Sequence, residues 1–129
     1  MALPRGHLLG RRKTLKWEDL RGETLLVQGW EESQTAREFY ASFLGSGVHY
    51  SAHAASKLSV LSLVSAGYGI TLVTQSQAEI PVPGVVVRPM NEKNATLEVG
   101  LVWVPENEEA VVGRFVAFMR DEARSRKLV

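Results

Sequence analysis

The sequence has no cysteine, few histidines and no long apolar run. The absence of cysteine from all 129 residues excludes disulfides, thiol catalysis and cysteine-ligated zinc or iron, and is compatible with a reducing compartment. No apolar stretch approaches the roughly 20 residues that span a bilayer, and the first residues lack the apolar region of a signal peptide. We therefore expect a soluble, cytoplasmic chain with no membrane partner.

An excess of charge of one sign is also lacking. The 15 Lys and Arg nearly balance the 14 Asp and Glu, which leaves a net charge of +1. The surface as a whole therefore offers no strong field for nucleic acid, and we expect no direct contact with it. A local basic region near the N-terminus could face either an anionic partner or solvent alone; it consists of Arg5, His7, Arg11, Arg12, Lys13 and Lys16.

The residues that could support catalysis or metal binding do not form a recognisable set. His49 and His53 lie on one predicted strand, about 13 Å apart at roughly 3.3 Å per residue, whereas zinc needs both nitrogens within about 2 Å of one point. A Ser-His-Asp triad assembles in space and stays open at this level, but no G-x-S-x-G motif is present, and Ser33 and Ser56 are explained as helix caps. The sequence thus predicts no metal, no cofactor and no enzyme.

The hydrophobic pattern predicts an α/β domain. After a leading loop and one helical turn near Trp17, apolar runs and alternation predict strands over residues 24–27, 48–53, 70–73, 85–88 and 97–103. Apolar residues at helical spacing predict helices from Ser33 to Leu44, from Ser56 to Gly67, and from Pro105 towards the C-terminus. The alternation of strands and helices in the first half predicts a mostly parallel sheet flanked by helices.

The stretch "SLVSAGYGITLV", residues 62–73, contains a pair of glycines that could suggest a phosphate-binding loop. Such loops place their glycines after a strand and before a helix, where free N–H groups face the anion. Here Gly67 and Gly69 follow a helix and precede a strand, so the negative end of the helix dipole faces them. We interpret Gly67 as the residue that ends the helix and Gly69 as a close turn into the sheet.

The sequence favours ligand binding at one edge of the predicted sheet. In parallel sheets, ligands gather beyond the carboxyl ends of the strands, where helix N-termini also point. The loop "QGWEESQT", residues 28–35, follows one such end and leads into a helix. Its free N–H groups, with Ser33 and Thr35, suit a carboxylate or another small anion. Ser33 could equally serve only as a helix cap, and both interpretations stay open.

Five segments in order resemble one protein family. They are "LPRGHLL", "LKWEDLRGETLLV", "LSVLSLVSAGYGITLVTQS", "PGVVVRPM" and "LEVGLVWVPENEEAVVGRFVAFMR". Together they resemble the effector-binding domain of LysR-type transcriptional regulators. That resemblance implies a type II periplasmic-binding-protein-like α/β fold, in which a small molecule binds in a cleft between two lobes.

The resemblance also implies a division of the chain and a set of contact residues. Residues 1–92 match the second lobe, and residues 93–129 match the strand and helix that would complete the first lobe. Most of the first lobe and the DNA-binding region have no match. The loop of residues 28–35 corresponds to a cleft-facing loop, which makes Gln28, Gly29, Ser33 and Thr35 the expected contacts. Thr74 is a further candidate and stands where the family often has a proline.

One further expectation follows from this match. The last predicted strand and helix carry an apolar face without its usual partner, so we expect a homodimer or an oligomer that exchanges this segment. Two other function classes stay open. One is a regulator fragment that acts only through protein contacts. The other is an enzyme on a related two-lobe fold, because fold alone does not determine function.

Overall fold

The computed structural model describes residues 1–29, 38, 41–42, 44, 47–96, 100–103 and 110–126. Its strands are β1 (Ala2–Pro4), β2 (Thr24–Gln28), β3 (His49–His53) and β4 (Val85–Val87), and its helices are α1 (Lys57–Ser65), α2 (Gln75–Ala78) and α3 (Ala110–Ser125). Short 3₁₀ helices cover Leu8–Arg11 and Trp17–Leu20. The contacts divide the chain into two compact units, Met1–Leu97 and Glu98–Val129. The predicted boundary between the two lobes, at residue 92, applies to the complete two-lobe domain and stays a prediction.

The strands of the first unit form a mixed sheet. Strands β2 and β3 pair in parallel, from Thr24 opposite His49 to Gln28 opposite His53, and β1 pairs antiparallel with β4. Two bridging residues connect these pairs. Ile70 lies parallel to β2 and accepts the Leu26 N–H at 2.8 Å, while Thr71 accepts the Ala2 N–H at 2.8 Å. The resulting order is β3, β2, residues 70–71, β1, β4.

Side chains of β2 are buried on both faces of this sheet. Leu25 and Val27 enter one core cluster, which also contains Leu3, Leu15, Leu20 and Ile70. Leu26 points to the opposite side and packs with Val60 and Val64 of α1. A short, continuously apolar run of this kind is typical of a strand covered on both faces, so the sequence pattern and the observed packing agree.

Helix α1 and the following turn confirm the interpretation of the glycine pair. The Ser56 hydroxyl accepts the Ser59 N–H at 3.1 Å and caps the helix, and Gly67 ends it with φ +84°. A Cβ on Gly69 would lie 2.5 Å from the Thr24 carbonyl oxygen. Gly69 therefore lets the chain approach β2 closely, which only a residue without a side chain permits.

Three local predictions for the first unit were wrong or incomplete. Residues Ala2–Pro4 form a strand rather than a loop, because they pair with Val85–Val87 far along the chain. The strand predicted over 70–73 reduces to bridges at Ile70 and Thr71. The stretch between the strands predicted over 70–73 and 85–88, where no helix is predicted, contains the short helix Gln75–Ala78.

The second unit is dominated by α3. The strand predicted over 97–103 is not formed in its described part, since residues 100–103 carry no regular structure and pair with no other described residue. A strand is stable only when its backbone groups are paired. Residues 97–99 and the predicted helix start at Pro105 lie outside the described residues. Of the helix predicted over 33–44, the described residues Glu38, Ala41, Ser42 and Leu44 are helical.

Candidate functional site

The carboxyl ends of β2 and β3 meet at one edge of the sheet. The parallel register places Gln28 opposite His53, and the Gly29 N–H donates to the His53 carbonyl oxygen at 3.1 Å. Gln28 is exposed, and Gly29 and His53 are half-buried. Two of the predicted contact residues, Gln28 and Gly29, therefore lie together at the sheet edge where the sequence predicts a binding site. We call this region, from Gln28–Gly29 through residues 53–57 to 72–74, the carboxyl edge.

Thr74 follows the neighbouring bridge segment at the same edge. Its hydroxyl accepts the Gln77 N–H at 3.3 Å, while its own N–H donates to the Gln77 side-chain Oε1 at 3.1 Å. These reciprocal bonds form a capping box that begins α2. Thr74 is exposed, so its hydroxyl can reach a ligand while it also caps the helix.

Ser33 and Thr35 lie outside the described residues. The predicted loop of residues 28–35 is described only at Gln28 and Gly29. The contact roles of Ser33 and Thr35 therefore stay predictions.

Lys57 is a residue of the carboxyl edge that the sequence reasoning missed. It is the first residue of α1, and its ammonium group donates to the Leu72 carbonyl oxygen at 2.9 Å. Burial lowers the pKa of Lys57 below its usual 10.5, because desolvation disfavours the charged form. The ammonium is thus held at the carboxyl edge, with hydrogens left for a second acceptor.

A signal for Lys57 was present in the sequence. The positive end of a helix dipole disfavours a cation in the first turn, yet Lys57 directly follows the Ser56 cap. Residues that break a local rule of this kind often mark functional positions. The conflict, together with the preceding predicted strand end, could have identified the residue.

Ser51 and His53 add polar groups to the end of β3. They are two residues apart on one strand face, and the Ser51 Oγ lies 3.0 Å from the His53 Nε2. His49 occupies the opposite end of the same strand. No three His, Asp or Glu side chains in the described part of the chain are placed to hold a metal ion. The carboxyl edge therefore combines amide, hydroxyl, imidazole and ammonium groups that suit the binding of a small polar ligand.

Comparison with known proteins identifies the family and the fold. The sequence profile of the LysR substrate binding domain matches residues 1–124. The effector binding domain of BenM with its effector benzoate is 25% identical, with a TM-score of 0.61 over 73% of this chain and 45% of that chain. HinK, a LysR family transcriptional regulator from Pseudomonas aeruginosa, is 26% identical, with a TM-score of 0.54 over 70% of this chain and 32% of that chain.

The extent of these matches also limits which properties of the similar proteins can be assigned to this chain. The chain spans less than half the length of either solved structure, and no curated protein sequence matches it. Among the described residues, no helix is both long and apolar enough to cross a membrane. The family consists of effector-binding domains of transcriptional regulators, with a type II periplasmic-binding-protein-like α/β fold. The sequence profile and the two-faced sheet agree on one assignment, and the chain belongs to the LysR substrate-binding domain family.

Proposed function

We propose that the chain is the ligand-sensing part of a LysR-type transcriptional regulator and binds a small anionic effector at the carboxyl edge. The observation that carries this proposal is the Lys57 ammonium, anchored at that edge by its bond to the Leu72 carbonyl. The solved BenM domain holds benzoate, which is a carboxylate and supports the same ligand class. A transcriptional regulator acts on DNA, so we expect the chain in the same compartment as the DNA, the cytoplasm.

The electrostatics of the edge favour an anion over a neutral ligand. Lys57 has given up part of its hydration through burial, which costs free energy unless an opposite charge compensates. Among the described residues, its side chain forms no ion pair. The free N–H groups at the start of α1 add to the positive potential there. A carboxylate between Lys57 and the exposed Gln28 would satisfy both groups, and Ser33, Thr35 and Thr74 would complete the set of contacts.

Replacement of Lys57 tests this proposal. Thermal melting of the unmodified chain against a panel of small carboxylates, amino acids, aromatic acids and phosphates should show stabilisation by one class. A ligand at about 100 times its Kd adds roughly 2.7 kcal/mol. The hydrogen bond from a charged group contributes about 1.5–3 kcal/mol, so Lys57→Gln should weaken binding by roughly 10- to 150-fold. Lys13→Gln, which alters an exposed lysine, is the matched control and should leave affinity unchanged.

The pH dependence of binding provides a second test. Binding of an anion requires the charged ammonium, and burial lowers the pKa of Lys57 below 10.5. Affinity should therefore fall as the pH rises through that lowered pKa, and Lys57→Arg should shift the fall to higher pH. A ligand panel without any stabilisation, or equal affinity in Lys57→Gln, would contradict the proposal.

An exposed apolar face on α3 favours a second candidate role, self-association. Val111, Phe115 and Phe118 lie at helical spacing and are 59%, 53% and 58% exposed. Faces of this kind usually meet a partner. We propose that a second copy covers this face, either in a homodimer or by exchange of the C-terminal helix.

Light scattering over a wide concentration range tests the self-association. The mass should rise towards that of a dimer, and Phe115→Ser should shift the transition to higher concentration while circular dichroism stays unchanged. A monomeric mass throughout would rule this role out. Stable association combined with a ligand panel without effect would instead favour a regulator fragment that acts only through protein contacts.

A further inference from the structure

The first unit contains a small cavity that adjoins the carboxyl edge at Val73. Its volume is about 170 Å³, and it lies between α1, α2, β4 and the loop that joins α2 to β4. Leu61 of α1 and Val85 and Val87 of β4 form part of the wall, and Gln77 and Ala78 of α2 form another part. Every lining residue except Gln77 is apolar. Gln77 thus supplies the one polar side chain of the wall.

The size of the cavity and its aliphatic side chains suit an organic ring. An aliphatic cavity of roughly 150 Å³ can bind benzene. The wall is fixed on one side, because Leu61 is buried. Ile80, which also lines the cavity, is 65% exposed and leaves a way in from solvent.

Gln77 defines the polar chemistry of the cavity. Its side-chain Oε1 accepts the Thr74 N–H at 3.1 Å, which orients the amide and leaves its NH₂ group as the available donor. In the described part of the chain, this NH₂ group donates no hydrogen bond. No charged side chain lines the cavity, so an ion would lose its hydration there without compensation. A neutral ligand that carries one acceptor fits, and a carboxylate does not.

We infer that this cavity is a second ligand site, which takes a neutral molecule of about one ring with a hydrogen-bond acceptor for the Gln77 amide. Phenol has this size and chemistry. The ligand class differs from the anion proposed for the carboxyl edge, and the inference does not depend on that proposal. The two sites can therefore succeed or fail separately.

Titration of the full 129-residue chain with phenol, followed by two-dimensional amide NMR, tests the inference. A ligand of this few atoms should bind in the millimolar range. Saturable shifts should be confined to residues that line the cavity. Ala78→Leu, which fills the cavity from α2, should weaken binding at least tenfold. Gln77→Met should weaken phenol binding several-fold and leave benzene binding unchanged, because benzene accepts no such bond.

Controls separate a loss of binding from a loss of structure. The amide spectrum of each variant should keep the resonances of β2 and β3, and Ser76→Ala, an exposed change on the same helix, should bind phenol normally. Three results would overturn the inference: no saturable shift at millimolar phenol, shifts that persist in Ala78→Leu, or benzoate binding at these residues as tightly as phenol.

Discussion

The two compact units of this chain differ in how they bury their apolar side chains. In Met1–Leu97, a sheet is covered on both faces, and Leu3, Leu15, Leu20, Leu25 and Ile70 are completely or almost completely buried. In the described part of Glu98–Val129, Val116 is the one buried hydrophobic residue, at 7% exposed. Phe115 and Phe118 of the same helix are more than half exposed.

This difference shows that a sequence can specify a helix without specifying what packs against its apolar face. Helix α3 carries Arg124 in its last turn, where a basic side chain suits the helix dipole. Its apolar face, however, has the composition of a core surface and is mostly exposed. The Trp103 ring is contacted by the Arg120 guanidinium, 5.4 Å from its centroid, which is a weak interaction at an exposed site. The first unit therefore buries its own apolar residues, whereas α3 leaves much of its apolar face exposed.

The largest expected effect compares a truncation in each unit. Leu20→Ala in the first unit removes a completely buried side chain and should cost about 2–5 kcal/mol of unfolding free energy. Phe118→Ala in α3 removes a larger side chain that is mostly exposed, and in dilute protein it should change stability by less than about 0.5 kcal/mol. Urea denaturation at low concentration measures both. Equal losses of unfolding free energy would mean that the two side chains are equally buried. That result would contradict the difference between the two units.

Substitution of one glycine in each unit should give effects of opposite sign. Gly69→Ala would place a Cβ 2.5 Å from the Thr24 carbonyl oxygen and should destabilise the sheet by about 1–3 kcal/mol. Gly113→Ala meets no atom within 4 Å and should stabilise α3 by about 0.5–1 kcal/mol through helix propensity. Thermal melts and far-UV circular dichroism would detect both changes. A stabilised Gly69→Ala variant would show that the close approach to β2 is not required.

The smallest expected effect comes from a buried hydroxyl group in the core of the first unit. The Tyr50 hydroxyl is buried without a hydrogen-bond partner among the described residues, while the ring packs against the core. Burial also raises the pKa of Tyr50. Tyr50→Phe should leave stability unchanged or raise it by up to about 1 kcal/mol, since it removes an unsatisfied polar group. Thr71→Val is the contrasting variant.

The Thr71 hydroxyl is buried but donates to the Leu26 carbonyl at 2.8 Å. Its removal should cost about 1–3 kcal/mol, because the carbonyl loses a partner. Chemical denaturation of the two variants side by side gives the comparison. A larger loss in Tyr50→Phe than in Thr71→Val would point to a partner for the tyrosine hydroxyl.

Local features of the fold could be predicted from the sequence where the chemistry is local. Ser56 caps α1 and Gly67 ends it as expected, because both effects act within one helical turn. Helix α2 was missed although its signal was present, since Thr74 and Gln77 have the spacing of a capping box. Strand β1 carried no such signal, because Ala2–Pro4 becomes a strand only by pairing with Val85–Val87.

The candidate site likewise contains residues that the local sequence indicates and a residue that only the tertiary structure reveals. The sequence indicated Gln28 and Gly29, because both follow a predicted strand and belong to the loop that the family resemblance places at the cleft, and both lie at the carboxyl edge. The described structure added Lys57, whose ammonium reaches a carbonyl fifteen residues away. No pattern of residues within one element specifies that bond. It depends on how α1 packs against the sheet.

By itself, the sequence determined the cap and the end of α1 and the apolar run that forms β2, since each depends on residues a few positions apart. The tertiary structure decided which strands are neighbours, which polar groups meet at the carboxyl edge and where a cavity stays open. These depend on hydrogen bonds and contacts between distant segments, such as the Leu26 N–H to the Ile70 carbonyl and β1 to β4. The free energy of these contacts comes from burial of side chains that belong to several elements. No single stretch of sequence contains all of those side chains.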